Sequence, residues 1–470
     1  MTVPSWTDAK GVTFPLVLVR TMTSRLRHPL TAVGFAALLT LPWLGLHTLL
    51  GSPLTTVQTV SLSGLSVLGA SFLLAWGAET AEEDVPRAFA LAILAVLAVA
   101  PEYAVDALYA WEAGVDPGSP ASQEAASLAV ANMTGANRIL IGIGWSAIAV
   151  FTILRVKKTR DQAVETRNGL LADRVRLDRS VSLEIFFLFA ATLFAFLVPL
   201  GPGIGVVDMF VLVGLYVVYI FVALNSPHEE TEQVGVPAYL QDQTKSRRVA
   251  TAVGLFVFSG ATILLAVEPF AHGLEALGTQ VGIPPFLMIQ WVAPLASESP
   301  ELIVVAVLVN KARSTAGFNA LISSKLNQWT LLIGTLVVVY SVSLGFYGAL
   351  PLDTHQAAEI WLTAAQSLFA LAILITFTIS LREAVALLGL FLAQLVYSVA
   401  GVAPTLTLPV VGRVVADNLF ALHAFTVVYV VLAAVLVVTR WQHVVFLVRS
   451  ARRRVEPDQP GGVAPGHPED

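Results

Sequence analysis

Cysteine is missing from this chain, which excludes disulfide bridges, thiolate metal sites and cysteine nucleophiles and leaves the compartment open. Charge is nearly as scarce. Asp, Glu, Lys and Arg make up 13% of the 470 residues, about half of what a soluble domain carries. The eight histidines lie mostly in loops or near the ends of apolar blocks. Neither a Gly-x-Ser-x-Gly elbow nor a His-Glu-x-x-His zinc motif occurs. An intramembrane enzyme therefore has few routes open to it, a two-carboxylate hydrolase being the remaining one. Nothing calls for a cofactor or a nucleic-acid partner.

What is abundant is apolar: 56% of residues are hydrophobic and the mean hydropathy is +0.76. The apolar residues come in blocks long enough to cross a bilayer, which takes about 20 residues as a helix. About twelve spans are predicted, at 31–50, 56–78, 87–113, 125–154, 183–200, 204–225, 249–275, 284–311, 315–345, 356–381, 383–402 and 416–439. The expected fold class is an all-α polytopic membrane protein. Residues 1–27 lack a cleavable signal pattern and hold Arg20, Arg25 and Arg27. Basic residues fix the orientation. The loop after the fourth span carries Arg155, Lys157, Lys158, Arg160, Arg167, Arg174, Arg176 and Arg179, whereas 114–124, 276–283 and 346–355 contain no Lys or Arg. The positive-inside rule then places both termini in the cytoplasm, and an even number of spans agrees with that.

The two halves repeat a motif with opposite polarity. Ala100-Pro101-Glu102 lies on a span running outward, and Ser299-Pro300-Glu301 on one running inward. Each is followed by a span opening on small and polar residues, Ala131 to Asn137 and Asn319 to Ser324. Such inverted repeats place a substrate site near the midplane, where the halves meet. A carboxylate in mid-span costs roughly 2.5–3.5 kcal/mol on insertion scales and persists when it pairs, protonates or binds a cation. The preceding proline removes a helical hydrogen bond and frees carbonyl oxygens that can turn toward an ion. Two carboxylates with carbonyl, hydroxyl and amide oxygens form the all-oxygen shell that a hard cation such as Ca²⁺ takes. The alternative is a pair of proline kinks whose Glu residues pair with bases in a polar crevice.

On these residues the chain resembles the cation/calcium exchanger (sodium/calcium exchanger) superfamily. Its two repeats each carry a Gly-Thr/Ser-Ser-x-Pro-Glu helix, then a helix with Asn or Asp three residues before Gly-Ser-Asn. Pro101-Glu102 and Ser297-Glu298-Ser299-Pro300-Glu301 match the first element. Asn132, three before Gly135-Ala136-Asn137, matches the second, and Ser323-Ser324-Lys325 matches it loosely. The resemblance covers 56–154 and 249–345. It implies a ten-helix core with one extra helix at each end, and antiport by alternating access. It also implies Glu102 and Glu301 as the central, metal-holding carboxylates, Asn132 as an amide ligand and Ser297 as a hydroxyl position, with Ca²⁺, Na⁺ or H⁺ as the transported cation. Departures from the family pattern are Ala98 and Val99 in place of hydroxyls, Glu298 at a hydroxyl position, Ala320 with Asn319 beside it at the Asp/Asn position, Lys325 in the triplet and Arg138 after the first triplet. These departures point to altered sodium coupling.

The charges suggest how. Glu102, Glu298 and Glu301 supply three negative charges, two of which Arg138 and Lys325 could neutralise. A buried Lys beside carboxylates can shed its proton when a cation arrives. The expectation is therefore proton-coupled cation antiport, with Lys325 or Glu298 as the exchanged protonation site and Glu298 also a cation ligand. The alternative is that Arg138 and Lys325 form ion pairs locking the halves together. Asn137, Asn319 and Asp106 join them as coupling or charge-pair candidates. Asp106, one turn beyond Glu102, could line the access path, although an exposed helix-end charge is the simpler expectation. Glu79, Glu82, Glu83 and Asp84 read as a solvated acidic turn, and Asn327, Gln328 and Trp329 as packing residues.

The expected organisation is 1–50 as N-terminus and extra first span, 51–225 as the first half with repeat 56–154, and 226–248 as a cytoplasmic loop. Residues 249–402 form the second half with repeat 249–345, then 403–445 the extra last span and 446–470 a disordered tail. Heavy Ala, Val and Leu use with few Lys suggests a bacterial inner (plasma) membrane. Besides the enzyme, a non-transporting scaffold or sensor derived from an exchanger is the competing function.

Overall fold

The structure is a computed structural model that describes residues 28–85, 95–225, 235–400 and 418–455. Expectations for 1–27, including its three arginines, and for 456–470 lie outside the described residues. Eleven described helices are long and apolar enough to cross a membrane. They are α1 (Pro29–Leu49), α2 (Thr56–Ala81), α4 (Pro120–Thr159), α5 (Ser182–Leu200), α6 (Val206–Leu224), α7 (Lys245–Val281), α8 (Pro285–Asn310), α9 (Ser314–Leu344), α10 (Thr354–Leu374), α11 (Leu381–Ser398) and α12 (Leu419–Thr439). The span expected at 87–113 is represented by a short turn, Ala95–Ala98, and α3, Ala100–Val115. Its start lies outside the described residues. A ten-helix core, α2 to α11, is thus flanked by α1 and α12.

Local chemistry sets the helix ends. Thr55 and Gln58 cap α2 reciprocally, as Asp353 and Gln356 cap α10. Ser119 caps α4 ahead of Pro120, which costs nothing at a helix start. Leu264, Val217 and Val438 point apolar side chains outward on α7, α6 and α12, as a surface facing lipid chains requires. By contrast, α10 is the most enclosed span, with 83% of its apolar window buried.

Packing follows the inverted repeat. The long helices α2 and α7 lie against each other, and α3 packs on α4 as α8 packs on α9. Across the halves, α3 meets the C-terminal part of α9, and α8 meets the C-terminal part of α4. Both of those second helices contain a π turn, Leu140–Trp145 in α4 and Gln328–Leu332 in α9, and α8 has a third at Met288–Val292. Such turns are common at functional sites. At one crossing the backbones almost touch. A Cβ built on Gly135 of α4 would sit 1.8 Å from the Gln290 carbonyl oxygen in the α8 π turn, so only glycine fits there.

Small strands join loops that span parity puts on one side. On the basic side, β1 (Val164–Glu165) and β2 (Arg174–Arg176) form an antiparallel pair, and β2 pairs with β5 (Thr378–Ser380) between α10 and α11. On the opposite side, β3 (Gly203–Ile204) pairs with β4 (Leu350–Pro351). A final helix, α13, runs Trp441–Val455. It carries helical structure into the stretch from 446 onward that the composition had suggested was disordered. Its sequence holds four Arg and a run of Val, Phe and Leu.

Candidate functional site

The break before α3 decides where Glu102 sits. Val99 leaves helical geometry at φ −106°, ψ 19°, and α3 restarts at Ala100 with Pro101 and Glu102 in its first turn. The carboxylate therefore lies at a helix N-terminus, where the helix dipole favours negative charge. Glu102 is 3% exposed and faces Glu301, Ser297 and Asp106. Pro300, in contrast, lies within the continuous α8 (Ala293–Asn310 beyond its π turn). Glu301 accepts a hydrogen bond of 3.0 Å from the Ser324 hydroxyl on α9. Among the described residues neither Glu102 nor Glu301 has an ion-pair partner. Two carboxylates from helices of opposite direction, with hydroxyls from α8 and α9 beside them, make an oxygen-lined pair suited to a hard cation. No group of three or more His, Asp or Glu side chains among the described residues forms a conventional metal cage.

The other expected residues divide. Asp106 is fully buried and accepts 2.9 Å from the Asn132 amide, which corrects the expectation of an exposed helix-end charge. Asn132 thereby reaches the pair through Asp106, its own Oδ1 making no hydrogen bond. Ser297 donates to backbone carbonyls of Ala293 and Pro294 and faces Glu102. Glu298, fully buried, accepts 2.7 Å from Gln328 and faces Glu102, Glu301 and Lys325. Lys325 donates 2.7 Å to the Asn137 side chain, and its ammonium lies 4.2 Å from the Trp329 ring centroid. Asn319 stands apart: five positions before Ser324, its buried Oδ1 has no hydrogen bond.

Arg138 is not where the charge count put it. Its guanidinium is 2.5 Å from Glu359 on α10, with both side chains buried, and stacks 4.8 Å over Trp291. It neutralises Glu359 rather than the Pro-Glu pair, so Lys325 is the base left near the three carboxylates. Sequence reasoning missed Glu359, although an acid inside an apolar span is itself a functional signal. Glu79 was also misplaced. It belongs to α2 and faces Glu301 and Glu82, so it is no solvated turn. Of that acidic stretch, Asp84 instead pairs with Arg248 at 2.6 Å, and Gln328 proves to be a ligand of Glu298 rather than packing alone.

Comparison with known proteins now bears on this geometry. A family profile described as sodium/calcium exchanger protein matches residues 31–225 and 251–400. The crystal structure of the H⁺/Ca²⁺ exchanger CAX is similar with a TM-score of 0.79 at 43% identity, covering 91% of this chain and 98% of that one. The structure of native YfkE is similar in fold, with a TM-score of 0.54 at 12% identity, covering 77% of this chain and 98% of that one. Comparison with curated proteins by sequence finds no match. With a profile match over most of its length and a relative at 43% identity, the chain belongs to the sodium/calcium exchanger family and is a multi-pass membrane cation antiporter rather than an enzyme.

Proposed function

We propose that the protein exchanges Ca²⁺ for H⁺ by alternating access, with the ion held between Glu102 and Glu301. The observation that carries this is the meeting of those two carboxylates, each on a proline-preceded helix of opposite direction and each without a base. Bound Ca²⁺ balances both charges, and two protons on the same oxygens leave an equally neutral site. Either load crosses at similar electrostatic cost, whereas the empty dianion is held back by the cost of burying charge. Ser297 and Ser324 would add hydroxyl ligands, and carbonyls freed by Pro101 and Pro300 the rest. The similarity to the H⁺/Ca²⁺ exchanger CAX favours Ca²⁺ over Na⁺ as the main substrate.

Lys325 and Glu298 form the second part of the proposal. With Arg138 committed to Glu359, Lys325 is the cationic group whose charge can respond to ion occupancy, through Glu298. A proton taken up by that pair as the ion leaves, in place of one of the two on Glu102 and Glu301, would keep the site's net charge constant. The basic face is taken as cytoplasmic, with both termini on that side, in a bacterial inner membrane. Proteoliposomes test these assignments. An imposed pH gradient should drive Ca²⁺ uptake that Glu102→Gln and Glu301→Gln each abolish, with Na⁺ flux small in all three. Equal Ca²⁺ flux in wild type and both variants overturns the site. Unchanged pH dependence in Lys325→Gln removes Lys325 from the coupling.

A further inference from the structure

On the basic side, away from the Pro-Glu pair, three stretches of chain line an open cavity of about 890 Å³. They are the turn after α4, the end of β2 with the following turn, and the α8–α9 connection. Arg160, Arg176, Arg179 and Arg313 line it, with Asp161 and Asp178. Four positive charges thus face two negative ones. One of the acids is fully engaged in structure: Asp161 is buried and accepts 3.0 Å from the Ala163 amide and 3.1 Å from Ser314, the first residue of α9. Two of the four arginines are not so engaged. Among the described residues the guanidinium groups of Arg160 and Arg176 have no hydrogen-bond or ion-pair partner. That of Arg179 lies 5.2 Å over the Phe446 ring of α13, a stacking that leaves its in-plane N–H donors free.

We propose that this cavity is a binding site for a phosphate-bearing anion. Guanidinium groups present paired donors whose spacing matches phosphate oxygens, and such charge-assisted bonds are about twice as strong as neutral ones. Four arginines against two acids leave the lining net positive, and a bound anion offsets that excess. The volume lies within the range of small-ligand sites, about 300–1,000 Å³. Two non-glycine residues in the left-handed region, Arg160 at φ 55° and Ala312 at φ 60°, stand on its walls, a conformation uncommon outside shaped turns. The chemistry is shared by a soluble polyphosphate and by the headgroup of an anionic lipid.

The test uses the full chain in two kinds of nanodisc. In phosphatidylcholine discs, radiolabelled pyrophosphate is titrated and retained label is counted. In discs containing phosphatidylglycerol, native mass spectrometry counts the lipid that stays with the protein. Saturable binding is expected in at least one arm, and the arm that shows it identifies the source. There Arg160→Gln and Arg176→Gln should each weaken binding about tenfold, whereas Arg167→Gln, on the same hairpin outside the cavity, should not. Both substituted arginines are exposed, so these substitutions should leave folding intact. Absence of saturable binding in both arms, or variants that bind as wild type does, overturns the proposal.

Discussion

Arg138 on α4 reaches Glu359 on α10 with Nη2 2.5 Å from Oε2, both side chains withdrawn from solvent. The pair stands apart from the two Pro-Glu motifs yet shares α4 with Asn132 and Asn137. Gln366, about two α10 turns further on, donates 3.2 Å to the Arg138 carbonyl and accepts 3.0 Å from Gln394 of α11. A polar seam therefore ties the first-repeat helix to α10 and α11, leaving the central carboxylates free of bases.

Breaking that pair should be costly. Removing one partner leaves the other charge buried without compensation, worth about 3–5 kcal/mol. Glu359→Gln should therefore lower the unfolding midpoint in detergent well beyond the effect of a surface change. Replacing both residues together, Arg138→Met with Glu359→Leu, should recover most of the loss, because no buried charge then remains. If Glu359→Gln unfolds as wild type does, Arg138 has another partner and the seam is not a lock.

Much of this was legible in the residues, and the limits have physical causes. Pro101-Glu102 and Pro300-Glu301 announced themselves because proline and a carboxylate are both expensive in mid-span, and their opposite polarity follows from counting spans. The partner of Arg138 was not legible. Glu359 lies 221 positions away, and only the folded arrangement of α4 against α10 brings it near. Asp106 looked like an end charge because sequence gives no sign that Asn132 crosses to it. Glu79 belonged to α2 because the helix continues to Ala81, past the point where apolar residues give out. The β1–β2–β5 sheet left no trace in the hydropathy, since its strands are two or three residues long.

The hydroxyl of Ser324 supplies a second prediction. It donates 3.0 Å to Glu301, holding one carboxylate oxygen in place and leaving its own lone pairs for an ion. A hydrogen bond to a charged group is worth about 1.5–3 kcal/mol, so Ser324→Ala should raise the KM for Ca²⁺ about tenfold or more. Ser324→Thr keeps the hydroxyl and should retain most of the affinity. An unchanged KM in Ser324→Ala would place Glu301 outside the ion shell.

Gly135 offers a test of packing alone. A methyl group there would meet the Gln290 carbonyl at 1.8 Å, and backbone cannot rotate away as a side chain can. Gly135→Ala should destabilise the protein by about 1–3 kcal/mol or more, the cost of overpacking, and loosen the contact between α4 and α8. Gly254→Ala is the control, since nothing lies within 4 Å of a Cβ at that position. In a helix interior that change should be neutral or stabilising by up to about 1 kcal/mol.

Asp84 closes the basic ends of α2 and α7 and brings a pH dependence with it. Arg248 holds it through bonds of 2.6 and 2.7 Å and donates 2.8 Å to the Gln241 carbonyl. The Arg248 guanidinium keeps the Asp84 carboxyl below the usual carboxylate range. A depressed folded-state pKa means the unfolded chain binds the proton first as pH falls. The contribution of the pair is therefore complete above the unfolded value of about 3.9, shrinks below it, and is gone once pH passes through the lower folded value. Comparing Asp84→Asn with wild type by thermal unfolding from pH 7 downward should show a constant gap to about pH 4 and convergence below it. A gap that widens on acidification would mean that the carboxyl is protonated more readily in the folded protein, and that Arg248 does not hold it.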